Sequence, residues 1–161
     1  MIRSEILVLI ENHARLFKSV IHGLPHWKTV ERNGLYLAQH TGADPNVVSY
    51  FAYFHDCMRV NEDHDPEHGP RATAFIKEYR HLLDLTGDQL DMLCRACSGH
   101  THGMKCHDST VCTCWDADRL DIGRIGVKPN SKYLFNDEAK RIADEQDEMT
   151  LIRYGFIKDI Y

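Results

Sequence analysis

No part of this chain approaches the roughly 20 consecutive apolar residues that a membrane-spanning helix needs. The apolar run Ile6-Leu7-Val8-Leu9-Ile10 stops at Glu11, and no small-residue cleavage site follows it. It reads instead as the buried face of a first helix. Without an export signal the chain is expected in the cytoplasm, with its six cysteines reduced. Positive charge is also scarce: 19 Lys and Arg against 24 Asp and Glu give a net charge of −5. That excludes general attraction to a long nucleic acid or an anionic membrane. Internal repeats, low-complexity tracts and linkers are missing, and no two strand-like runs flank a hairpin turn. What remains is a single all-α domain over residues 1–161, long enough to bury roughly 70% of the surface its unfolded chain exposes.

Helical periodicity supplies the elements. A first helix is expected over 4–22 with Ser4 at its N-cap, and Pro25 pre-sets a second that runs to about His40. Asp44-Pro45 is a cap followed by a first-turn proline, and it opens a third helix with Val47, Val48, Phe51 and Phe54 inward. Asp65-Pro66 repeats that signal for a fourth. Thr86 with Gln89 fits a capping box for a fifth, ending near Gly99. A sixth is expected over Val111–Ile122, stopping at Gly123, and Asn136-Asp137 opens a seventh. The apolar-rich residues 151–161 cover either the domain's own core or a partner chain, which leaves a homodimer open.

The chemistry gathers around the adjacent pair His55-Asp56. His26 lies upstream in Gly23-Leu24-Pro25-His26-Trp27, and Asp118 lies downstream in Asp116-Ala117-Asp118-Arg119-Leu120-Asp121. Two imidazoles and two carboxylates, each at a helix end or on a buried face, can hold a divalent metal and leave positions open for water and substrate. Between the pair and Asp118 stand His68, in Asp65-Pro66-Glu67-His68-Gly69, and His100, in Ser98-Gly99-His100-Thr101.

This ordered set resembles the HD superfamily of metal-dependent phosphohydrolases, named for its His-Asp doublet, over about residues 20–130. The resemblance implies an all-helical bundle with a metal held by His26, His55, Asp56 and Asp118. In members with two metals it also implies further histidines between doublet and last aspartate, the place of His68 and His100. No Gly-Tyr-Pro follows His100, which sets the chain apart from the cyclic-dinucleotide phosphodiesterase branch. Arg59 stands where some nucleotidase members carry a glutamate.

A donor set of His and carboxylate favours Mn, Fe, Co, Ni or Zn over Ca, as one ion or two. Asp56 is the natural bridge, because its two oxygens can serve two ions. A metal-activated water could then attack the phosphorus of a small phosphorylated metabolite or nucleotide. Arg59 is the first choice for a phosphate clamp; Arg119, Arg124 and Lys128, near Asp118, are further candidates. His68 and His100 serve either as ligands of a second ion or as phosphate contacts. Asp121 is placed to accept a hydrogen bond from a ligating histidine. The acidic loop Asn61–Asp65 adjoins the doublet, and His22 lies one helical turn before His26.

Two rival readings use the same residues, and a third uses the cysteines. The domain could bind a nucleotide without turnover, or hold two irons and use oxygen. Alternatively Cys94, Cys97, Cys112 and Cys114 could bind structural zinc, although the first pair falls within a helical pattern and the second has the wrong spacing for a zinc ribbon.

Overall fold

The computed structural model describes residues 2–145. Seven α-helices carry the fold: α1 (Ser4–His13), α2 (Leu24–Thr41), α3 (Pro45–Phe54), α4 (His68–Glu78), α5 (Gly87–Gly99), α6 (Ser109–Leu120) and α7 (Asp137–Glu145). No strand occurs among the described residues. The expected all-α bundle is what forms. Residues 151–161, invoked for self-covering or dimer contact, lie outside the described part of the chain.

α3 is the axis of the bundle, because every residue from Val47 to Phe54 is buried. It packs against α2 and α5, while α6 lies across α2 and α4 lies along α5. Trp27, Leu37, Phe51, Phe54, Ile76, Leu93 and Leu120 fill the space between these helices. Two glycines set the spacing. A Cβ at Gly34 would come within 2.5 Å of Val48 Cγ1, so α2 approaches α3 more closely than a side chain would allow. A Cβ at Gly69 would come within 2.5 Å of the Cys97 carbonyl oxygen, so α4 likewise closes on α5. These two approaches bring His26 to His55 and His68 to His100.

Several local signals act as read from the sequence. The Asp44 carboxylate accepts from Asn46 N (2.8 Å) and Val47 N (3.3 Å), with Pro45 in the first turn. Thr86 and Gln89 form the reciprocal capping box. α2 ends at Gly42, whose φ of 68° is the left-handed conformation that favours glycine. The run Ile6–Ile10 buries Ile6 and Ile10.

Other boundaries differ for identifiable reasons. α1 stops at His13 instead of continuing to residue 22, and its N-cap is Arg3 rather than Ser4. The Ser19 hydroxyl accepts from both Ile21 N and His22 N at 3.0 Å, offering the backbone a turn in place of a helix. That turn swings His22 toward α2. Asp65 does not cap α4: its carboxylate accepts from Val60 N (2.9 Å) and Arg71 Nη2 (2.7 Å), closing the acidic loop, and the helix begins at His68. α6 starts two residues earlier than expected, because Asp108 caps it through Thr110 N and Val111 N. After Leu120 the chain tightens into a 3₁₀ turn over Asp121–Ile125, running past Gly123.

The cysteines also depart from expectation. Cys106 and Cys112 are joined in a disulfide, whereas Cys57, Cys94, Cys97 and Cys114 are free and buried. With Cys112 already bonded, the four thiols proposed for structural zinc are not available together.

One buried acid with no assigned role in the sequence holds α7 in place. The Asp116 carboxylate accepts from Phe135 N (2.9 Å) and from Asn136 N and Nδ2 (both 2.8 Å). Burial pushes its pKa up to about 6 although these donors pull it down. Asp116→Ala should therefore leave buried donors without a partner and cost about 2–3 kcal/mol, read as a lower urea midpoint at unchanged slope.

Candidate metal centre

The site forms where four chain segments end or begin on one another. His55 follows the last residue of α3, and its Nδ1 turns back to the carbonyls of Ala52 (3.0 Å) and Phe51 (3.2 Å). His100 does the same after α5, with Nδ1 2.8 Å from the Cys97 carbonyl. The last carbonyls of a helix have no partner within it, so a histidine there finds an acceptor ready-made. His68 opens α4 with Nδ1 on the Asp65 carbonyl. His26, in the first turn of α2, places Nδ1 2.6 Å from Asp121 Oδ2.

Each of these acceptors asks for a proton on Nδ1, and that choice leaves Nε2 as a bare lone pair. Yet His26 Nε2 lies 3.1 Å from His55 Nε2, and His68 Nε2 lies 2.8 Å from His100 Nε2. Two lone pairs at that distance repel unless a proton or a metal ion lies between them. All four rings are 5% exposed or less, so water cannot relieve the repulsion.

Carboxylates complete both groups. Asp118 Oδ1 is 3.2 Å from His26 Nε2 and 3.7 Å from His55 Nε2. Asp56 spans the two: Oδ2 is 3.9 Å from His26 Nε2 and 3.7 Å from His55 Nε2. Its other oxygen, Oδ1, is 3.1 Å from His68 Nε2 and 3.6 Å from His100 Nε2. A metal with bonds of about 2.0–2.2 Å sets neighbouring donors roughly 3.0–3.6 Å apart. The donors, all buried except the half-buried Asp118, therefore fit metal ions as two groups, His26–His55–Asp118 and Asp56–His68–His100. The helix leading into the doublet ends at Phe54, just before it, which is why adjacent side chains can face one centre instead of diverging by about 100°.

Electrostatics support the same reading. Burial holds the His55 pKa down to about 3, so this ring stays neutral. Burial also lowers His26 and His100, but Asp118 and Asp121 beside the first and Asp56 beside the second outweigh it and raise both. Desolvation would raise Asp56 and Asp118; the surrounding imidazoles hold both carboxyls well below their ordinary range. Asp121 Oδ1 is the one buried side-chain oxygen or nitrogen among the described residues with no hydrogen-bond partner. An under-used carboxylate oxygen behind His26 makes that ring a stronger donor toward a cation.

An open cleft of about 230 Å³ lies over the centre, lined among others by His22, Asp56, Arg59, Asp118 and Arg124. Arg59 Nη1 lies 3.8 Å from Asp56 Oδ1, and 3.3 and 3.5 Å from the two ring nitrogens of His68. Its Nη2 donates to the Asp63 carbonyl at 2.7 Å, which ties the acidic loop to the site. Arg124 donates to the carbonyls of Ile21 (2.7 Å) and Asp121 (3.1 Å) at the cleft wall. Arg119 is held by the carbonyls of Tyr133, His100 and Gly103 and lies over the Trp115 and Phe135 rings. Lys128 does not reach this cleft; it lines an adjoining cavity. His64 is exposed.

Sequence reading missed one partner. Glu62 Oε2 accepts from His22 Nδ1 at 2.5 Å, tying the acidic loop to the turn before α2. Burial lowers the His22 pKa although Glu62 pulls it up. The signal was present in the acidic run Glu62-Asp63, but only the Ser19 turn brings His22 within reach.

Compared with family models, curated proteins and solved structures, the chain finds no match. The site stands on its own geometry.

The purified chain titrated with Mn²⁺ or Zn²⁺ should bind two ions; Asp56→Asn should weaken both, whereas His26→Ala should weaken one. Uptake should strengthen as pH rises, because protons held on His26 and His100 must leave, and proton release on binding measures this directly. Asp121→Asn should lower metal affinity by about 10–100-fold without altering the fold, read by competition with a chelator.

Proposed function

We propose that this chain is a metal-dependent phosphohydrolase of the HD type, acting on a small phosphorylated metabolite or nucleotide. The observation that carries the reading is the placement of Asp56, with one oxygen toward each group of histidines, beneath a cleft edged by Arg59 and Arg124. His26, His55, Asp118 and Asp56 would hold one ion; Asp56, His68 and His100 would hold the other. A divalent ion in such a site lowers the pKa of bound water from about 15.7 toward 7 and so supplies hydroxide near neutral pH.

The chain's own residues supply the rest. Arg59 sits within one phosphate's width of Asp56, with Nη1 turned toward the carboxylate, and balances charge on the equatorial phosphoryl oxygens. Asp121 holds the His26 ring in orientation. The volume of the cleft suits a small ester, and the net charge of −5 argues against a nucleic-acid polymer.

The test separates Asp56 from Arg59. Asp56→Asn should lose both metal content and phosphate release, because an amide offers less charge to the ion. Arg59→Ala should keep its metal while kcat/KM for phosphate esters falls on the order of 10²-fold. Unchanged hydrolysis by Asp56→Asn would refute the reading. Tight nucleotide binding with no phosphate release would favour a binding domain, and an iron-dependent visible spectrum would favour a di-iron oxygenase.

A further inference from the structure

Beside the metal cleft lies a second cavity of about 470 Å³. It shares Thr101, Arg119 and Ile122 with the cleft, so the two adjoin across one wall. Their linings differ in kind. The cleft is edged by carboxylates, histidines and arginines, whereas the cavity is walled by Met104, Ile122, Val127, Pro129, Tyr133 and Leu134. Its apolar side chains are also unusually open. Of the eight large apolar residues exposed among the described residues, Met104, Val127 and Tyr133 line the cavity and Ile125 lines the cleft beside it. Met104 is 70% exposed and Tyr133 51%. Scattered exposed apolar residues are ordinary, but three of the eight gathered at one mouth, with a fourth in the adjoining cleft, mark a binding surface.

Arg119 fixes the relation between the two spaces. Its guanidinium is fastened by three backbone carbonyls, from Tyr133, His100 and Gly103, and lies over the Trp115 and Phe135 rings. The partition is thus held in place, and Ile122 is the apolar side chain that lines both spaces. We infer that this cavity is the subsite for the organic part of the substrate, and that the part it takes is an apolar ring and not a polyhydroxylated sugar. Methionine and tyrosine give polarisable, flat contacts to a ring, and the polar side chains there, Thr101, Lys128 and Asn130 beside the tethered Arg119, are outnumbered by apolar ones that cannot replace the water that hydroxyls would lose. This inference rests on the phosphohydrolase reading for the location of the phosphoryl group.

The probes are phenylphosphonate and methylphosphonate, which share a non-hydrolysable phosphonate head and differ in the ring. Their affinities for the full chain with saturating Mn²⁺ are measured by calorimetry, alongside phosphate release from phenyl phosphate. Burial of a phenyl ring should make phenylphosphonate bind about ten-fold tighter or more. Val127→Asp and Met104→Asp, on separate loops and both exposed, should each bring the phenyl-to-methyl ratio close to one. A ratio near one in the unaltered chain would overturn the inference and leave the surface to a partner chain or another segment of this one. A high ratio kept by both variants would overturn it as well, since selectivity would then arise elsewhere. Selective phenylphosphonate binding with no hydrolysis of phenyl phosphate would leave the subsite standing and sink the phosphohydrolase reading; failure of both phosphonates to bind would sink both.

Discussion

The arrangement of this bundle turns on four histidine side chains whose outer nitrogens are already spoken for. Each Nδ1 is held by a backbone carbonyl or by Asp121, and the four Nε2 atoms are thereby driven together in two pairs at 3.1 and 2.8 Å. Such pairs repel in a dry interior and need positive charge between them. The helices are cut to produce this conflict: α3 and α5 end at the histidines, α4 begins at one, and Gly34 and Gly69 let the pairs close. A core selected only for stability would have no use for it. Lone pairs aimed at one another make sense as a preorganised cation site, in which the chain has met the repulsion in advance and an ion relieves it.

Much of this was legible because the relevant chemistry is local. Asp44-Pro45 and the Thr86–Gln89 pair act through backbone amides two or three residues away, so they cap the helices that the sequence announces. The His55-Asp56 doublet is adjacent in the chain, and the donors around it are residue types whose burial without a cation is costly. What stayed hidden depends on partners distant in sequence or on competition between two local structures. Asp116 looks like one more acid in an acidic run until residues 135 and 136 fold back onto it. Asp65 has the form of a cap, yet Arg71 and the Val60 amide take its carboxylate first. Ser19 ends a helix whose apolar pattern continues, and the Cys106–Cys112 bond joins residues whose spacing alone does not announce a pairing.

Charge then sets the order in which the site can be filled. Asp56, Asp118 and Asp121 place three carboxylates around the centre, while Arg59, Arg119 and Arg124 bring three guanidinium groups to the cleft. With neutral imidazoles these charges cancel, so the chain alone offers an incoming phosphate no net attraction. Two divalent ions would make the balance positive. On the phosphohydrolase reading, the anionic ligand is therefore bound by the ion-loaded protein and not by the chain alone, and the arginines tune a field whose sign the ions set. This also explains why Arg59 can lie against His68 and Asp56 without forming a close ion pair: at 3.8 Å from the carboxylate its Nη1 is near enough to steer an oxygen into place. A tighter pairing would spend the carboxylate oxygen that has to face the second group of histidines.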